Sequence, residues 1–319
     1  MTIYDQIWKT IKKYNNIIIT THLRADGDCV GSGIGLRELI KSTYPEKNVK
    51  CIHENLGYLK FLGNGDTATD EEFENALVIS VDCSTLKRTN EPRLTTGLEL
   101  IKIDHHPNVE PFGTNINFVQ DEKCACAEMI FDLYLVNKKA KLSKLGAEAL
   151  FTGIVTDSGR FKFSGVTGDT MKKIGMMYEF GIDAIKVYTE LEKISLEELR
   201  FKGYILQSME TTENGVLYIK INEELRNKFN VEYDEASNMV NSMSGVDGSP
   251  VWVLINQYSE NEIRCRVRSL GVVINDVAAK YGGGGHENAA GIIVDTYEKV
   301  DLILKDLDEK LKLYKEENK

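Results

Sequence analysis

Several residue types are scarce in this sequence, and each scarcity excludes a class of protein. Six cysteines in 319 residues are too few and too scattered for a disulfide framework, so we expect reduced thiols. No apolar stretch approaches the roughly 20 residues of a membrane-spanning helix. Residues 1–14 have the pattern of an amphipathic helix and not of a secretion signal. We therefore expect a cytoplasmic protein that does not bind membranes.

Basic residues are also fewer than acidic ones. The chain has 39 lysines and arginines against 49 aspartates and glutamates, which gives a formal net charge of −10. Long nucleic acids require a broad surface that neutralises phosphates, so any nucleic-acid ligand should be short. A local basic pocket or bound cations can still reverse the sign of the charge inside a cleft.

Histidine is scarce, yet two of the five histidines are adjacent, in the segment Asp104-His105-His106-Pro107. This segment follows the apolar run 98–103, which predicts a buried strand. In open α/β sheets, ligands bind at the carboxyl ends of the strands. A carboxylate and two imidazoles at such an end therefore predict one corner of a composite site.

A second polar segment follows the predicted strand 15–21 and contains His22, Asp26 and Asp28. We expect Asp26 and Asp28 to project to the same side of an extended segment, and the next helix to start near Val30. Imidazole mixed with carboxylate is a ligand set for Mn²⁺ or Mg²⁺, and the nitrogen favours Mn²⁺. A polar turn in which Asp26 serves the backbone is an equally weighted alternative.

Two more acidic residues end predicted elements. Asp82 follows the apolar run 76–81, with Arg88 close enough to contact a phosphate, and Asp157 follows the apolar helix 147–155. Repeated strand and helix segments that each end in an acid or a histidine predict an α/β domain around one site. By contrast, the lone pair Cys124 and Cys126 has no second cysteine pair to complete a thiolate cage, and burial is the favoured interpretation.

The last third of the chain has a different pattern. Alternation over residues 263–269 places Arg264, Arg266 and Arg268 on one face of a strand. Further on, a predicted helix leads into four glycines and His286, and then into another strand. Such glycines could present backbone amides as an anion nest, with His286 and Arg268 adding charge. A tight helix-to-strand connection is the alternative, although it commonly needs only one glycine.

These segments together carry a family resemblance. The motifs are H-L-R-A-D-G-D-C-V-G-S at 22–32, the strand-ending Asp82, D-H-H-P at 104–107, T-D-S-G-R-F at 156–161, and R-S at 268–269 with G-G-G-G-H-E-N-A-A-G at 282–291. With them the sequence resembles the DHH phosphoesterase superfamily. Within it, the match is to small two-domain oligoribonucleases that also dephosphorylate 3′-phosphoadenosine 5′-phosphate. The resemblance runs almost from end to end.

The resemblance implies an α/β protein of two domains with the active site in the cleft between them. Residues 1–187 would form the larger catalytic domain, with a mainly parallel sheet flanked by helices. Residues 188–207 would form a helical linker, and residues 208–319 a smaller substrate-binding domain with a mixed sheet. The chain length agrees with two domains.

The resemblance also implies two divalent ions, with Mn²⁺ favoured and Mg²⁺ or Co²⁺ as alternatives. One ion would be bound by His22, Asp26 and Asp82, and the other by Asp28, Asp82, His105 and Asp157. His106 would lie beside the substrate phosphate, and Asp104 would orient a neighbouring imidazole. The remaining substrate-binding positions would be Arg88, Arg268, Gly283, Gly284, Gly285 and His286.

The implied activity is two-metal hydrolysis of short RNA oligonucleotides to mononucleotides, together with removal of the 3′-phosphate of 3′-phosphoadenosine 5′-phosphate. The partners would be these short RNAs and nucleotides such as pApA, and a homodimer is open. The main alternative is a phosphodiesterase for cyclic di-AMP or pApA, which would share every motif. A manganese pyrophosphatase is disfavoured because its lysine- and arginine-rich second-domain signature is missing, and a non-catalytic nucleotide-binding module is the last alternative.

Overall fold

The computed structural model describes residues 1–53, 56–89, 91–163 and 165–318, which form two compact units, Met1–Lys193 and Ile194–Lys319. Both units combine helices with a sheet, so the predicted α/β class is confirmed. Most of the predicted linker, residues 188–207, lies in two helices on either side of this boundary. The role of these residues as a linker stays a prediction.

A parallel sheet of five strands organises the first unit, as predicted. Its strands are β1 (Asn16–Thr20), β2 (Asn48–Ile52), β3 (Leu77–Val81), β4 (Glu99–Asp104) and β5 (Ile116–Val119). The order is β2-β1-β3-β4-β5, and every neighbouring pair is parallel. All five residues of β3 are buried, which agrees with a central strand covered on both faces.

The described part of this unit contains seven α-helices. They are α1 (Ile3–Lys13), α2 (Gly27–Thr43), α3 (Asp70–Glu74), α4 (Cys126–Val136), α5 (Lys144–Asp157), α6 (Gly168–Tyr178) and α7 (Ala184–Glu192). Helices α2 and α5 pack closely, because Gly31 brings the two backbones together. A Cβ atom at Gly31 would lie 2.4 Å from the carbonyl oxygen of Ala149.

The start of α2 corrects one prediction. We expected the helix to start near Val30, but it starts at Gly27 because Asp26 is its N-cap. The Asp26 carboxylate accepts hydrogen bonds from the backbone N–H groups of Asp28 and Cys29, each at 3.1 Å. Asp28 thus lies in the first helical turn, and the extended segment predicted for it was wrong.

A mixed sheet of six strands organises the second unit, as predicted. The strands are β6 (Glu210–Thr211), β7 (Leu217–Ile221), β8 (Val251–Ser259), β9 (Glu262–Ser269), β10 (Gly284–His286) and β11 (Ala289–Val294), in the order β10-β11-β9-β8-β7-β6. The helices are α8 (Leu196–Ser208), α9 (Glu223–Phe229), α10 (Tyr233–Asn238), α11 (Asn275–Lys280) and α12 (Tyr297–Glu317). Among the described strands of this second sheet, only β7 and β8 pair in parallel, and the other neighbouring pairs are antiparallel.

The four glycines before His286 do not form the predicted loop. The N–H groups of Gly282 and Gly283 donate to the carbonyls of Ala279 and Ala278, which is the pattern of a Schellman helix cap. The next two glycines belong to β10, which pairs with β11. The anion nest hypothesised for this segment is therefore wrong for the first two glycines, because their amides bind α11.

Two further observations concern the whole chain. Over the ranges that the structure describes, no helix combines the length and the apolar character needed to cross a bilayer. All six cysteines are buried free thiols, as predicted.

Candidate metal centre

Carboxylates and imidazoles meet in one cluster of the first unit. The cluster contains His22, Asp26, Asp28, Asp82, His105 and Asp157. Strands β1, β3 and β4 are parallel neighbours, so the residues that follow them share one edge of the sheet. Asp157 joins the cluster as the last residue of α5. All six residues that the sequence selected for metal binding thus lie together.

Asp82 lies in the middle of this cluster. Its backbone has a φ of 55°, a left-handed conformation that turns the chain directly after β3. Such a conformation costs energy for a residue other than glycine and recurs at functional sites. Oδ2 lies 3.5 Å from Nε2 of His22, and Oδ1 lies 3.4 Å from Nε2 of His105. Oδ1 also lies 3.5 Å from Nδ1 of His106. One oxygen of this buried carboxylate therefore faces His22, and the other faces the adjacent pair His105 and His106.

The His105 ring is surrounded by negative charge. Its Nε2 lies close to three carboxylate oxygens, at 3.2 Å from Asp157, 3.4 Å from Asp82 and 3.8 Å from Asp28. On the other side, Nδ1 lies 3.2 Å from the carbonyl oxygen of Lys123, so a hydrogen bond there orients the ring. Burial lowers the pKa of His105, but the three carboxylates outweigh burial and raise it to about 9.

Main-chain amides hold Asp28. The N–H groups of Cys126 and Ala127, at the start of α4, donate to its two oxygens at 2.6 and 2.9 Å. The Ser32 hydroxyl donates at 3.2 Å. The positive end of the α4 dipole thus points at a carboxylate that is 1% exposed.

A network of ion pairs anchors the start of α4. Three carboxylates surround the Lys173 ammonium group: Glu128 at 2.8 Å, Asp132 at 2.6 Å and Asp169 at 2.8 Å. Lys123 pairs with Asp132 at 2.8 Å and with Glu128 at 3.3 Å. Because the backbone of 123–127 also contacts two cluster residues, this network connects to the metal centre.

Asp26 and His22 form the other side of the cluster. While Oδ1 of Asp26 caps α2, its Oδ2 lies 3.8 Å from Nε2 of His22. One oxygen of Asp26 therefore serves the backbone, as in the polar-turn alternative, and the other faces the cluster. Metal binding by this second oxygen stays a prediction. The His22 ring is fixed from behind, with Nδ1 at 2.8 Å from the carbonyl oxygen of Leu23.

His106 is the imidazole that Asp104 contacts. Oδ1 of Asp104 lies 2.9 Å from Nδ1 of His106 and also accepts a hydrogen bond from the His106 backbone N–H at 3.2 Å. Lys102, fully buried, places its ammonium group 3.4 Å from Oδ2. Although burial raises the pKa of Asp104, the contacts with His106 and Lys102 leave it lowered. The His106 side chain is 23% exposed, against 14% for His105 and 3% for His22.

The donor set fits divalent cations. Oδ1 of Asp82 is buried and has no hydrogen-bond partner in the described part of the chain, which is costly unless a cation compensates. Burial and mutual repulsion raise the pKa of Asp28 and Asp82, and raise that of Asp157 to about 7. Among the described residues, three sets have ligand atoms that all lie within 4.8 Å of one another. They are His22, Cys29, Asp82; Asp82, His105, His106; and Asp28, His105, Asp157.

Comparison with known proteins identifies the family of this chain. Residues 16–154 match the DHH family, N-terminal domain, and residues 213–313 match the DHHA1 domain. The bifunctional oligoribonuclease and PAP phosphatase NrnA of Bacillus subtilis (strain 168) is 36% identical over 305 residues, which cover 95% of this chain and 97% of the relative. The chain belongs to the DHH family.

Two more comparisons extend this result. A probable bifunctional oligoribonuclease and PAP phosphatase NrnA of Streptococcus mutans is 33% identical, over 91% of this chain and 93% of the relative. The crystal structure of an exopolyphosphatase-related protein from Bacteroides fragilis has a TM-score of 0.86 and 26% identity, and each chain is covered to 97%. The fold of this chain is therefore shared with that solved structure over nearly the whole length of both.

The substrate-binding residues that the DHH resemblance implies lie in both units. In the first unit, Arg88 is exposed, and its carbonyl accepts a hydrogen bond at 2.7 Å from the N–H of Leu23, beside His22. In the second unit, Arg268 and His286 lie in the same row of the sheet, since both pair with Ala289 of β11. Gly283 and Gly285 allow close packing here, because a Cβ atom at either would lie 2.3 Å from a β11 carbonyl oxygen.

Sequence reasoning missed two residues of this DHH site. Lys102 was not selected, although a lysine within the apolar run 98–103 was a signal of a buried and paired charge. Cys29 was expected only to be a reduced thiol, yet its sulfur accepts a hydrogen bond from the His22 N–H and lies in one ligand set with His22 and Asp82. Its position on α2 became clear only with the earlier start of that helix.

Proposed function

We propose that this protein hydrolyses short RNA oligonucleotides to mononucleotides and removes the 3′-phosphate of 3′-phosphoadenosine 5′-phosphate. The single observation that carries the proposal is the position of Asp82, whose two oxygens face two imidazole and carboxylate sets. Relatives named as oligoribonuclease and PAP phosphatase match this chain over nearly their whole length, which supports the same substrates here.

We propose Mn²⁺ as the metal, held in two sites that share Asp82. His22 and Asp26 would complete one site, and Asp28, His105 and Asp157 the other. Two imidazoles among the ligands favour Mn²⁺ over Mg²⁺, which prefers oxygen. When bound, the ions supply positive charge that stabilises the phosphoryl group during transfer.

The chain's own residues would supply the proton chemistry. Nδ1 of His106 lies against the Asp104 carboxylate, so the proton at Nδ1 is held there and Nε2 is left for the substrate. A proton at Nε2 can then pass to the leaving oxygen. His106 suits this task because its side chain is more exposed than those of the two cluster histidines, His22 and His105.

We propose that the second unit binds the rest of the substrate through Arg268 and His286. Arginine binds phosphate with two parallel hydrogen bonds, and β9 and β10 place the two residues in one row. The buried free thiols support a reducing compartment, and we propose that the enzyme works in the cytoplasm.

The test is a substrate panel with Mn²⁺. It contains 3′-phosphoadenosine 5′-phosphate, pApA, cyclic di-AMP, RNA of two to five nucleotides, an RNA of 24 nucleotides and pyrophosphate, ranked by kcat/KM. We expect the short RNAs and 3′-phosphoadenosine 5′-phosphate to rank first and the 24-nucleotide RNA far below. A first rank for cyclic di-AMP or pApA, or for pyrophosphate, would contradict the proposal in favour of that substrate.

Asp82→Ala should lose turnover by at least about 1,000-fold, because it removes a ligand of both proposed sites. Asp70→Ala is the matched control, since Asp70 is an exposed carboxylate of the same unit that pairs with Arg93. It should retain full activity. Near wild-type turnover in Asp82→Ala would show that the chemistry occurs elsewhere.

A further inference from the structure

One face of the second unit's sheet is partly exposed over β9 and β11, and Arg266 on this face donates a hydrogen bond to the Ser237 carbonyl of α10 at 3.2 Å. Arg264, Arg266 and Arg268 alternate with buried residues along β9, as predicted, and their partners on β11 are Ile293, Gly291 and Ala289. We call these six residues the arginine face. The β11 members are exposed or half-buried, and the alternate residues of both strands pack into the core on the other side.

The arginine face has two different ends. Arg268 lies at the end next to His286, where we propose that substrate phosphate binds. Arg264 lies four residues further along β9, about 13 Å away at about 3.4 Å per residue. Burial and the neighbouring charge of Arg266 lower the pKa of Arg268, so an anion is favoured at that end. A longer ligand bound at Arg268 can extend along the arginine face toward Arg264.

Aromatic rings surround the far end. The Arg264 guanidinium lies over the Tyr258 ring, 4.4 Å from its centroid, and 5.6 Å from the centroid of Tyr233. The two rings meet edge to face at 5.0 Å. Tyr258 nevertheless remains 51% exposed. This aromatic end thus offers a rigid, half-open ring backed by a cation.

The charge at this end distinguishes it from a phosphate site. Nε of Arg264 donates to Glu262 at 2.6 Å, so a nearby carboxylate already offsets its charge. The planar guanidinium remains stacked on the ring, as arginine does in single-strand binding sites. The local chemistry therefore suits a flat, neutral group more than a second phosphate.

We propose that Tyr258, supported by Arg264 and Tyr233, is a stacking subsite for a nucleobase of an oligoribonucleotide whose terminal phosphate lies at Arg268. This inference rests on the proposed function and extends it. A single nucleoside bound near His286 does not reach the subsite, whereas a chain of several nucleotides does. The subsite would thus distinguish the RNA substrates from 3′-phosphoadenosine 5′-phosphate.

The test compares Tyr258→Ala with Tyr258→Phe on both substrate classes. Stacking of a base on an aromatic ring contributes about 1–2 kcal/mol here, so Tyr258→Ala should raise KM for RNA of three to five nucleotides about 5- to 30-fold. We expect kcat to stay within about twofold, and KM for 3′-phosphoadenosine 5′-phosphate to change less than about twofold. Tyr258→Phe should behave as wild type, because it keeps the ring.

A binding measurement separates this proposal from the proposed function. 2-Aminopurine is placed at each position of a phosphorothioate-linked trinucleotide that resists hydrolysis. Its fluorescence should be quenched at one position in the wild type and in Tyr258→Phe but not in Tyr258→Ala. This result would support the subsite even if no RNA were hydrolysed.

The control and the contrary outcomes are specific. Tyr178→Ala removes another tyrosine that is 51% exposed, in the first unit, and should leave RNA affinity unchanged. Equal KM changes for RNA and for 3′-phosphoadenosine 5′-phosphate, or equal losses in Tyr258→Ala and Tyr258→Phe, would overturn the proposal. So would the absence of any effect of Tyr258→Ala on RNA.

Discussion

At the scale of single residues, two aspartates use each carboxylate oxygen for a different contact. One oxygen of Asp26 caps α2 and the other faces His22, while the oxygens of Asp82 face His22 and His105. A sequence motif can identify such residues, but it does not show which carboxylate oxygen contacts which group. We could select the six cluster residues from their positions at strand and helix ends. The sequence left the cap and ligation as alternatives for Asp26, whereas the structure shows one oxygen in the cap and leaves the other for the proposed metal.

Charge repulsion in the cluster predicts how the metal-free protein responds to pH. The pKa of Asp157 is raised to about 7, and that of His105 to about 9, so the folded state holds both protons more tightly than the unfolded chain. For groups with raised pKa, stability is present at low pH and is lost as pH rises through the folded pKa. With a chelator present, we expect the contribution of the cluster to the free energy of unfolding to decline between about pH 4 and pH 9.

The measurement is urea unfolding at pH 5 and pH 8, with EDTA or with Mn²⁺. One unit of pKa shift corresponds to about 1.4 kcal/mol. The free energy of unfolding of the metal-free protein should therefore fall by about 1–4 kcal/mol from pH 5 to pH 8. Mn²⁺ should restore more stability at pH 8 than at pH 5, because ligands must lose their protons to bind. Asp157→Asn should flatten the pH dependence, and an unchanged slope would contradict the assignment.

At the scale of elements, α4 matters more to the site than its sequence indicates. Its first amides bind Asp28, and the carbonyl of Lys123 before it orients His105. The segment that contains α4 makes all of these contacts with its main chain, so no side-chain motif in this segment indicates them. The helix itself was predictable from its apolar pattern, but the register that places two N–H groups against Asp28 depends on packing between α2, α4 and α5.

Lys173→Met tests this arrangement. It leaves Glu128 buried beside a single remaining cation, Lys123, and should lower the free energy of unfolding by about 3 kcal/mol, measured by urea denaturation. If the network positions α4, the apparent Kd for Mn²⁺ should also rise, by about 10-fold. Lys144→Met is the control, because that lysine is 59% exposed and pairs with Glu148 at 3.7 Å. It should change stability by less than about 0.5 kcal/mol.

A double variant separates position from stability. Glu128→Gln combined with Lys173→Met removes both charges and should recover much of the lost unfolding free energy. Full recovery of stability with Mn²⁺ affinity still reduced would support positioning. If Mn²⁺ affinity never changes in the single variant, the network is only structural.

At the scale of the whole molecule, the two units divide the proposed work. The first contains every described residue of the metal cluster, and the second contains Arg268 and His286. The fold class, the parallel sheet and the mixed sheet could be predicted because apolar runs and their connections follow regular periods. The glycine segment could not, because its use as helix cap and strand depends on pairing with β11, which is a tertiary contact.

Arg268→Ala tests this division. It should raise KM for 3′-phosphoadenosine 5′-phosphate about 10- to 100-fold while kcat stays within about threefold, because the role proposed for Arg268 is to bind the substrate phosphate away from the reacting atoms. Arg200→Ala removes an exposed arginine of α8 in the same unit and should leave both constants unchanged. Loss of kcat with unchanged KM would instead place Arg268 in the chemical step.

The contact of the α4 amides with Asp28 has a consequence for how this protein can evolve. A Cβ atom at Gly153 would lie 2.7 Å from the Cβ of Ala127 and 2.8 Å from Oδ1 of Asp28. Because these hydrogen bonds come from the main chain, they do not depend on which side chain stands at 126, whereas the volume at 127 and 153 is restricted. In descendants that keep the phosphate chemistry, we therefore expect small residues to be retained at 127 and 153, although neither position carries a functional group.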